Sequence, residues 1–247
     1  MRFIKYASLE VVLGAVFYQF FLYHTYFQTF PSPVEGLLLA FSVWLIYLLD
    51  RQVDNVLQPS LDQRHQFHQE NRLLIRGLIF MIVCGIALLL PFLPTTILVA
   101  GFGMILAVFV YGFAYHKGWL RLEKEVFTAI LYGLGVGLVV WVREPRALLS
   151  VMTLVALAYQ NLCYFSLIEQ PTPFYASRLR KTEWVLLGLL SGNYASSQDL
   201  FTILPFLVTF GLTFILSRLT FSEEKRMWGD LAFWSPLIYL LHGIFST

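Results

Sequence analysis

Residues 42–55 read S-V-W-L-I-Y-L-L-D-R-Q-V-D-N, an apolar helix running without a break into two carboxylates, Asp50 and Asp54. Nothing in 42–49 is charged. A helix of this kind crosses hydrocarbon and surfaces where its charges begin, so the stretch decides the fold class: a membrane helix with a polar end. Residues at i and i+4 share a helix face, which places the two Cβ atoms about 6 Å apart.

The rest of the chain agrees with that reading. Its 247 residues are 58% hydrophobic, 17% aromatic and only 13% charged, a composition foreign to soluble domains. Apolar runs of roughly 17–25 residues recur from end to end and leave no room for a second domain. Spans are expected at 8–27, 34–54, 73–91, 95–114, 125–142, 148–169, 183–197, 200–217 and 231–246. The expected fold is therefore an all-α polytopic membrane bundle of about nine transmembrane helices, one domain covering 1–247. The seventh span is the weakest, because G-N-Y-A-S-S-Q interrupts it and suggests a short or half-inserted helix. Arg2 and Lys5 precede an apolar run longer than a signal peptide core, with no small-residue cleavage site, so the first helix is expected to be retained. Cys84 and Cys163 fall inside spans and read as small buried hydrophobes.

Threaded from the inside, the spans put fifteen of the seventeen Lys and Arg residues on one side and leave only Arg143 and Arg146 on the other. The positive-inside rule makes the crowded side cytoplasmic; the compactness of the chain points to a bacterial inner membrane, with an organelle membrane as the alternative. The partners implied are a lipid bilayer and its solutes, with no nucleic acid. The charged side also carries D-Q-R-H-Q-F-H-Q-E-N-R (62–72), which concentrates Arg64, His65, His68 and Arg72. The planar fork of Arg suits phosphate. A basic loop that orients the chain and touches anionic lipid is the plainer alternative, as a hydrated helix end with an Asp–Arg51 pair is for Asp50 and Asp54. The glycines of L-Y-G-L-G-V-G (131–137), and Gly101 and Gly103, lie in apolar spans and read as close helix contacts rather than a phosphate loop. Tyr111, Tyr115, Tyr132, Tyr159 and Tyr164 fall where they either line helix contacts or face a cation.

These residues resemble the UbiA superfamily of intramembrane prenyltransferases, nine-helix proteins with two Asp-rich motifs at cytoplasmic helix ends. Asp50-Arg51-x-x-Asp54 looks like the latter part of the first motif, N-D-x-x-D-x-x-x-D, with Ile46 and Tyr47 in place of its Asn and first Asp. Phe165-x-x-x-Glu169 stands where the second motif, D-x-x-x-D, is expected, preceded by Asn161. A divergent bacterial branch is closer: W-L-I-Y-x-x-D-R-x-x-D at Trp44 to Asp54, R-H-x-F at Arg64 to Phe67, Lys124-Glu125, Asn161 with Glu169, and Arg226-x-x-x-Asp230 followed by Pro236.

The resemblance implies Mg²⁺-dependent transfer of a prenyl group from a polyprenyl diphosphate to a lipophilic acceptor. Asp50, Asp54 and Glu169 would be catalytic metal ligands, and Arg64, Lys124 and Asn161 would bind substrate. Two alternatives stay open: an inactive lipid-binding or assembly protein of the same fold, and a small-molecule transporter. Transport calls for charge or broken helices at the membrane midplane, and the mid-spans are almost free of charge, with Glu10 near one helix start.

Overall fold

The computed structural model describes residues 9–57, 70–117, 123–169, 171–219 and 223–245, and these residues are helical and free of strands. The helices are α1 (Leu9–Phe27), α2 (Pro33–Leu57), α3 (Arg72–Leu89), α4 (Thr95–His116), α5 (Lys124–Val136), α6 (Leu138–Trp141), α7 (Leu148–Glu169), α8 (Pro173–Ser197), α9 (Leu200–Arg218), α10 (Glu223–Ala232) and α11 (Pro236–Phe245). Among the described residues, five segments, against the nine expected, are long and apolar enough to cross a membrane: Pro33–Asp50, Arg72–Phe92, Thr95–Ala114, Pro145–Glu169 and Leu200–Arg218.

Three segments differ from their sequence expectation: the fifth is divided at Gly137 into α5 and α6, and the seventh and last depart further. The seventh segment is neither short nor half-length: α8 is a continuous 25-residue helix that starts ten residues early. Thr172 caps it by accepting from the Tyr175 N–H, and Pro173 takes the first turn, where its missing N–H costs nothing. The last segment is two helices, not one. The chain turns at 233–235 and restarts at Pro236, leaving α11 only 10 residues long, about 15 Å or half a hydrocarbon core.

At the centre stands α7, which packs most extensively on α8 and α5. Its approach to α5 depends on Gly133 and Gly137, one turn apart. A Cβ on Gly133 would lie 2.8 Å from the Val155 backbone nitrogen, and one on Gly137 would lie 2.5 Å from Val151 Cγ2. The close-contact reading of these glycines therefore holds. It fails for Gly101 and Gly103, whose added Cβ atoms would meet nothing within 4 Å. The reason is position: among the described residues α4 packs mainly on α5 and α6 and, like α3, is barely one-tenth buried, so these glycines have no neighbouring helix against them.

A hydroxyl cluster fastens α1 to the broken C-terminal pair. Tyr18, fully buried, has its OH 2.5 Å from Thr209 Oγ1 and donates to the Pro205 carbonyl at 3.3 Å. Thr209 Oγ1 donates to the Ala232 carbonyl (3.0 Å), and Ser235 Oγ donates to that of Pro205 (2.8 Å). Carbonyls near the break and near the in-helix proline thus find donors inside the protein, as backbone at membrane depth must.

The end of the bundle opposite Asp50 is braced by side chains. Ser32 and Glu35 form a reciprocal cap at the start of α2: the Ser32 N–H donates to Glu35 Oε2 (2.9 Å) and the Glu35 N–H to Ser32 Oγ (3.3 Å). The other oxygen of Glu35 takes the Arg143 guanidinium, which also donates to Tyr23 OH at 3.2 Å. In the next loop Arg146 holds the Glu144 carboxyl down at about 2. Nearby, Asn193 of α8 accepts from Ser150 Oγ (2.7 Å) and donates to Thr153 Oγ1 (2.7 Å). Glu35 is only 4% exposed, so Arg143→Gln is expected to leave its charge poorly matched. Breaking a buried pair costs about 3–5 kcal/mol, and the partial exposure of Arg143 puts this one at the low end. The check is the melting temperature in detergent, which should fall clearly below that of wild type.

Candidate functional site

The charged end of the bundle is organised by the first two residues of α5, which reach in opposite directions. Lys124 extends to α2, where its Nζ lies 3.0 Å from Asp50 Oδ1 with both side chains about half exposed. Glu125 reaches instead toward α7 and α8, accepting from Ser166 Oγ (3.0 Å) and Tyr175 OH (3.3 Å). One helix start thereby links α2, α7 and α8 around a shared polar rim.

Just before α5, Glu123 pairs with Arg178 of α8. Arg178 is further fixed by donating to Tyr159 OH at 3.2 Å and by lying 4.1 Å from the Phe174 ring centre. A guanidinium over an aromatic face is stabilised by the ring quadrupole. The rim therefore presents alternating charge, Asp50⁻, Lys124⁺, Glu123⁻ and Arg178⁺, at an interface where hydration keeps ionised groups inexpensive.

Deeper in the bundle, Asn161 of α7 is buried, and its Oδ1 has no hydrogen-bond partner. It faces α10 at Gly229, where an added Cβ would lie 2.8 Å both from Asn161 Oδ1 and from the Phe165 ring. Gly229 is thus the residue that leaves room for a polar atom in the core. A buried amide oxygen without a partner is costly unless water or a ligand meets it.

The sequence-derived site residues are only partly brought together. Asp50 and Lys124 meet. Asn161 and Glu169 share α7, but eight residues separate them, about 12 Å along the axis, so one is buried while the other is exposed at the helix end. The backbone of Asp54 continues α2 one turn beyond Asp50; its side chain, and all of Arg64, His65 and His68, lie outside the described residues, as do the side chains of Arg51, Tyr115 and Arg226. Among the described residues, no three His, Cys, Asp or Glu side chains converge on a metal position. Cys84 and Cys163 are free thiols; Cys163 is buried as expected, but Cys84 is exposed on α3, whose outer face has little packed against it.

The tyrosines divide. Tyr111 stacks on Phe127 with centroids 3.7 Å apart, Tyr132 meets Phe233 edge-on at 5.8 Å, and Tyr159 serves Arg178. Tyr164 is fully buried with its OH unpartnered. Glu123 and Arg178 carry no sequence signal for their pairing: Arg178 enters only the side-by-side charge count, and its partner lies on another helix. No family model matches this chain, and searches of curated proteins and of solved structures likewise find no match.

Proposed function

We propose that this protein is a UbiA-like, nine-span intramembrane prenyltransferase. It takes a polyprenyl diphosphate at its charged, cytoplasm-facing end and transfers the prenyl group to a lipophilic acceptor in the bilayer. The observation that carries this reading is the Asp50–Lys124 pair at 3.0 Å. A carboxylate and a cation from separate helices stand together at a hydrated bundle mouth, and both belong to the motifs that resemble the family.

The donor set suits Mg²⁺. That ion keeps several waters and is commonly bound through one or two carboxylates plus substrate phosphates, so a convergent three-carboxylate cage is not required. Asp50 is half exposed at the mouth, and Asp54 follows one turn later on the same helix face. These two would hold the ion, with Glu169 as a further carboxylate from the end of α7. Bound there, Mg²⁺ would neutralise charge on the diphosphate.

The remaining chemistry falls to the chain. As the bond between the allylic carbon and the diphosphate oxygen breaks, the electron pair stays with the oxygen, and Lys124 is held where it can match that charge. The acceptor's nucleophilic atom forms the new bond to the carbon and releases a proton. Asn161 supplies a buried acceptor atom for orienting a bound molecule. Tyrosine faces at the inner ends or middles of the bundle helices would support the allylic cation at about 0.5–2 kcal/mol each.

One observation favours the alternative, a lipid-binding or assembly protein. Lys124 already neutralises Asp50, and Arg178 already neutralises Glu123, so the rim holds the bundle together without a ligand. Diphosphate release separates the two readings. In membranes supplying native lipids as acceptor, with Mg²⁺ and a long-chain polyprenyl diphosphate, the transferase reading expects release that drops at least 100-fold in Asp54→Asn. Full activity retained in both Asp50→Asn and Glu169→Gln would contradict the metal assignment.

A further inference from the structure

A polar cleft opens at the same end of the bundle, away from Asp50 and Lys124. It lies in the seam between α7, α8 and α9 and has a volume of about 290 Å³, lined by Leu167, Ala176, Leu179, Arg180, Ser217 and Arg218. We propose that this cleft binds the phosphate of an anionic phospholipid headgroup.

Its cations are arranged for an anion. Arg218 is held by three contacts: it donates to Ser217 Oγ (3.2 Å) and to Glu183 Oε2 (2.8 Å), and it lies 4.6 Å from the Phe214 ring centre. Two hydrogen bonds leave most of its five N–H donors for a ligand. Arg180, exposed at the opposite lip, has no carboxylate partner among the described residues. Two guanidinium groups against the single carboxylate of Glu183 leave the cleft net positive.

Helix spacing adds an independent observation beneath the lining. One turn deeper than the lining, each of the three helices carries a buried polar atom without a hydrogen-bond partner: Tyr164 OH on α7, Glu183 Oε1 on α8 and Thr213 Oγ1 on α9. Tyr164 lies three residues before Leu167, Glu183 four after Leu179, and Thr213 four before Ser217, so each follows a lining residue down the same helix face. Three such atoms in one seam leave hydrogen-bonding capacity for bound water or headgroup hydroxyls.

The surroundings select a lipid over free phosphate. Phe214, Ile215 and Leu219 of α9 are exposed beside the cleft and offer apolar surface for an acyl chain. Basic pockets between membrane helices at the cytoplasmic side are where anionic headgroups lodge.

Native mass spectrometry of the full chain, titrated with dioleoyl phosphatidylglycerol or dioleoyl phosphatidylcholine, tests the proposal. Phosphatidylglycerol is expected to bind about tenfold more tightly, and Arg180→Gln to reduce that affinity about fivefold. Arg180 is exposed and forms no ion pair with Glu183, so this variant should fold even if Arg218→Gln does not. Excess inorganic phosphate should not displace the lipid, and polyprenyl diphosphate binding should be unchanged in Arg180→Gln. Equal binding of the two lipids, an unaffected Arg180→Gln variant, or full displacement by inorganic phosphate would each overturn it.

Discussion

Replacing Gly133 with valine is expected to separate the two helices at the heart of the bundle. A Cβ at this position would lie 2.8 Å from the backbone nitrogen of Val155 and 2.9 Å from its Cα, and neither atom can swing aside as a flexible side chain would. Relief requires α5 and α7 to move apart, which loosens the packing of Ala129, Val136, Val151 and Leu154 in the main core. Overpacking of well-filled interiors costs about 1–3 kcal/mol and more where backbone must shift. Gly101→Ala is the control: its Cβ enters open space, and replacing a helix-interior glycine gains up to about 1 kcal/mol in propensity. Thermal unfolding in detergent should show a large drop for Gly133→Val and no drop for Gly101→Ala. Equal melting temperatures for the two variants would mean that α5 and α7 do not pack as described.

The second large effect concerns Lys124. If the Asp50–Lys124 pair forms a diphosphate site, Lys124→Ala removes a charge-assisted contact to phosphate, worth about 1.5–3 kcal/mol, or roughly 10- to 150-fold in affinity. Lys124→Arg should retain most of the binding, because it keeps the charge within reach of Asp50. Exposed ion pairs contribute only about 0–1 kcal/mol to stability, so Lys124→Ala should fold nearly normally. Weak binding in a stable variant therefore separates a ligand-binding role from a structural one. Unchanged binding would leave the pair as a brace between α2 and α5.

Much of the helix layout is legible in the chain because lipid makes apolar length a physical requirement. The ends of α1, α7 and α9 fall within a residue or so of the expected spans, since charge or proline marks each boundary. The early start of α8 was hidden for the converse reason. Its first ten residues, P-F-Y-A-S-R-L-R-K-T, are too polar to register as a span, although Thr172-Pro173 is a readable helix start. The break before Pro236 was also readable, but the apolar run across it masked the turn.

Glycine spacing does not say which side of a helix a neighbour occupies, so Gly133 and Gly101 are alike in the chain although α4 lies at the periphery. In the site, Asp50 stands out as a carboxylate ending an apolar helix and Lys124 enters through the family resemblance, while the Glu123–Arg178 pair and the unpartnered oxygen of Asn161 arise from helices that meet only on folding. Such contacts leave no local pattern in the chain.

Whether Asp50 and Asp54 hold a diphosphate through Mg²⁺ is decided by binding of a long-chain polyprenyl diphosphate to the purified protein, titrated with and without Mg²⁺ and repeated with Asp50→Asn and Asp54→Asn. The proposed function expects tight binding that requires Mg²⁺ and is lost in both variants. Binding that is absent, or indifferent to Mg²⁺ and to both carboxylates, would contradict it and leave the polar rim as a structural feature of the bundle.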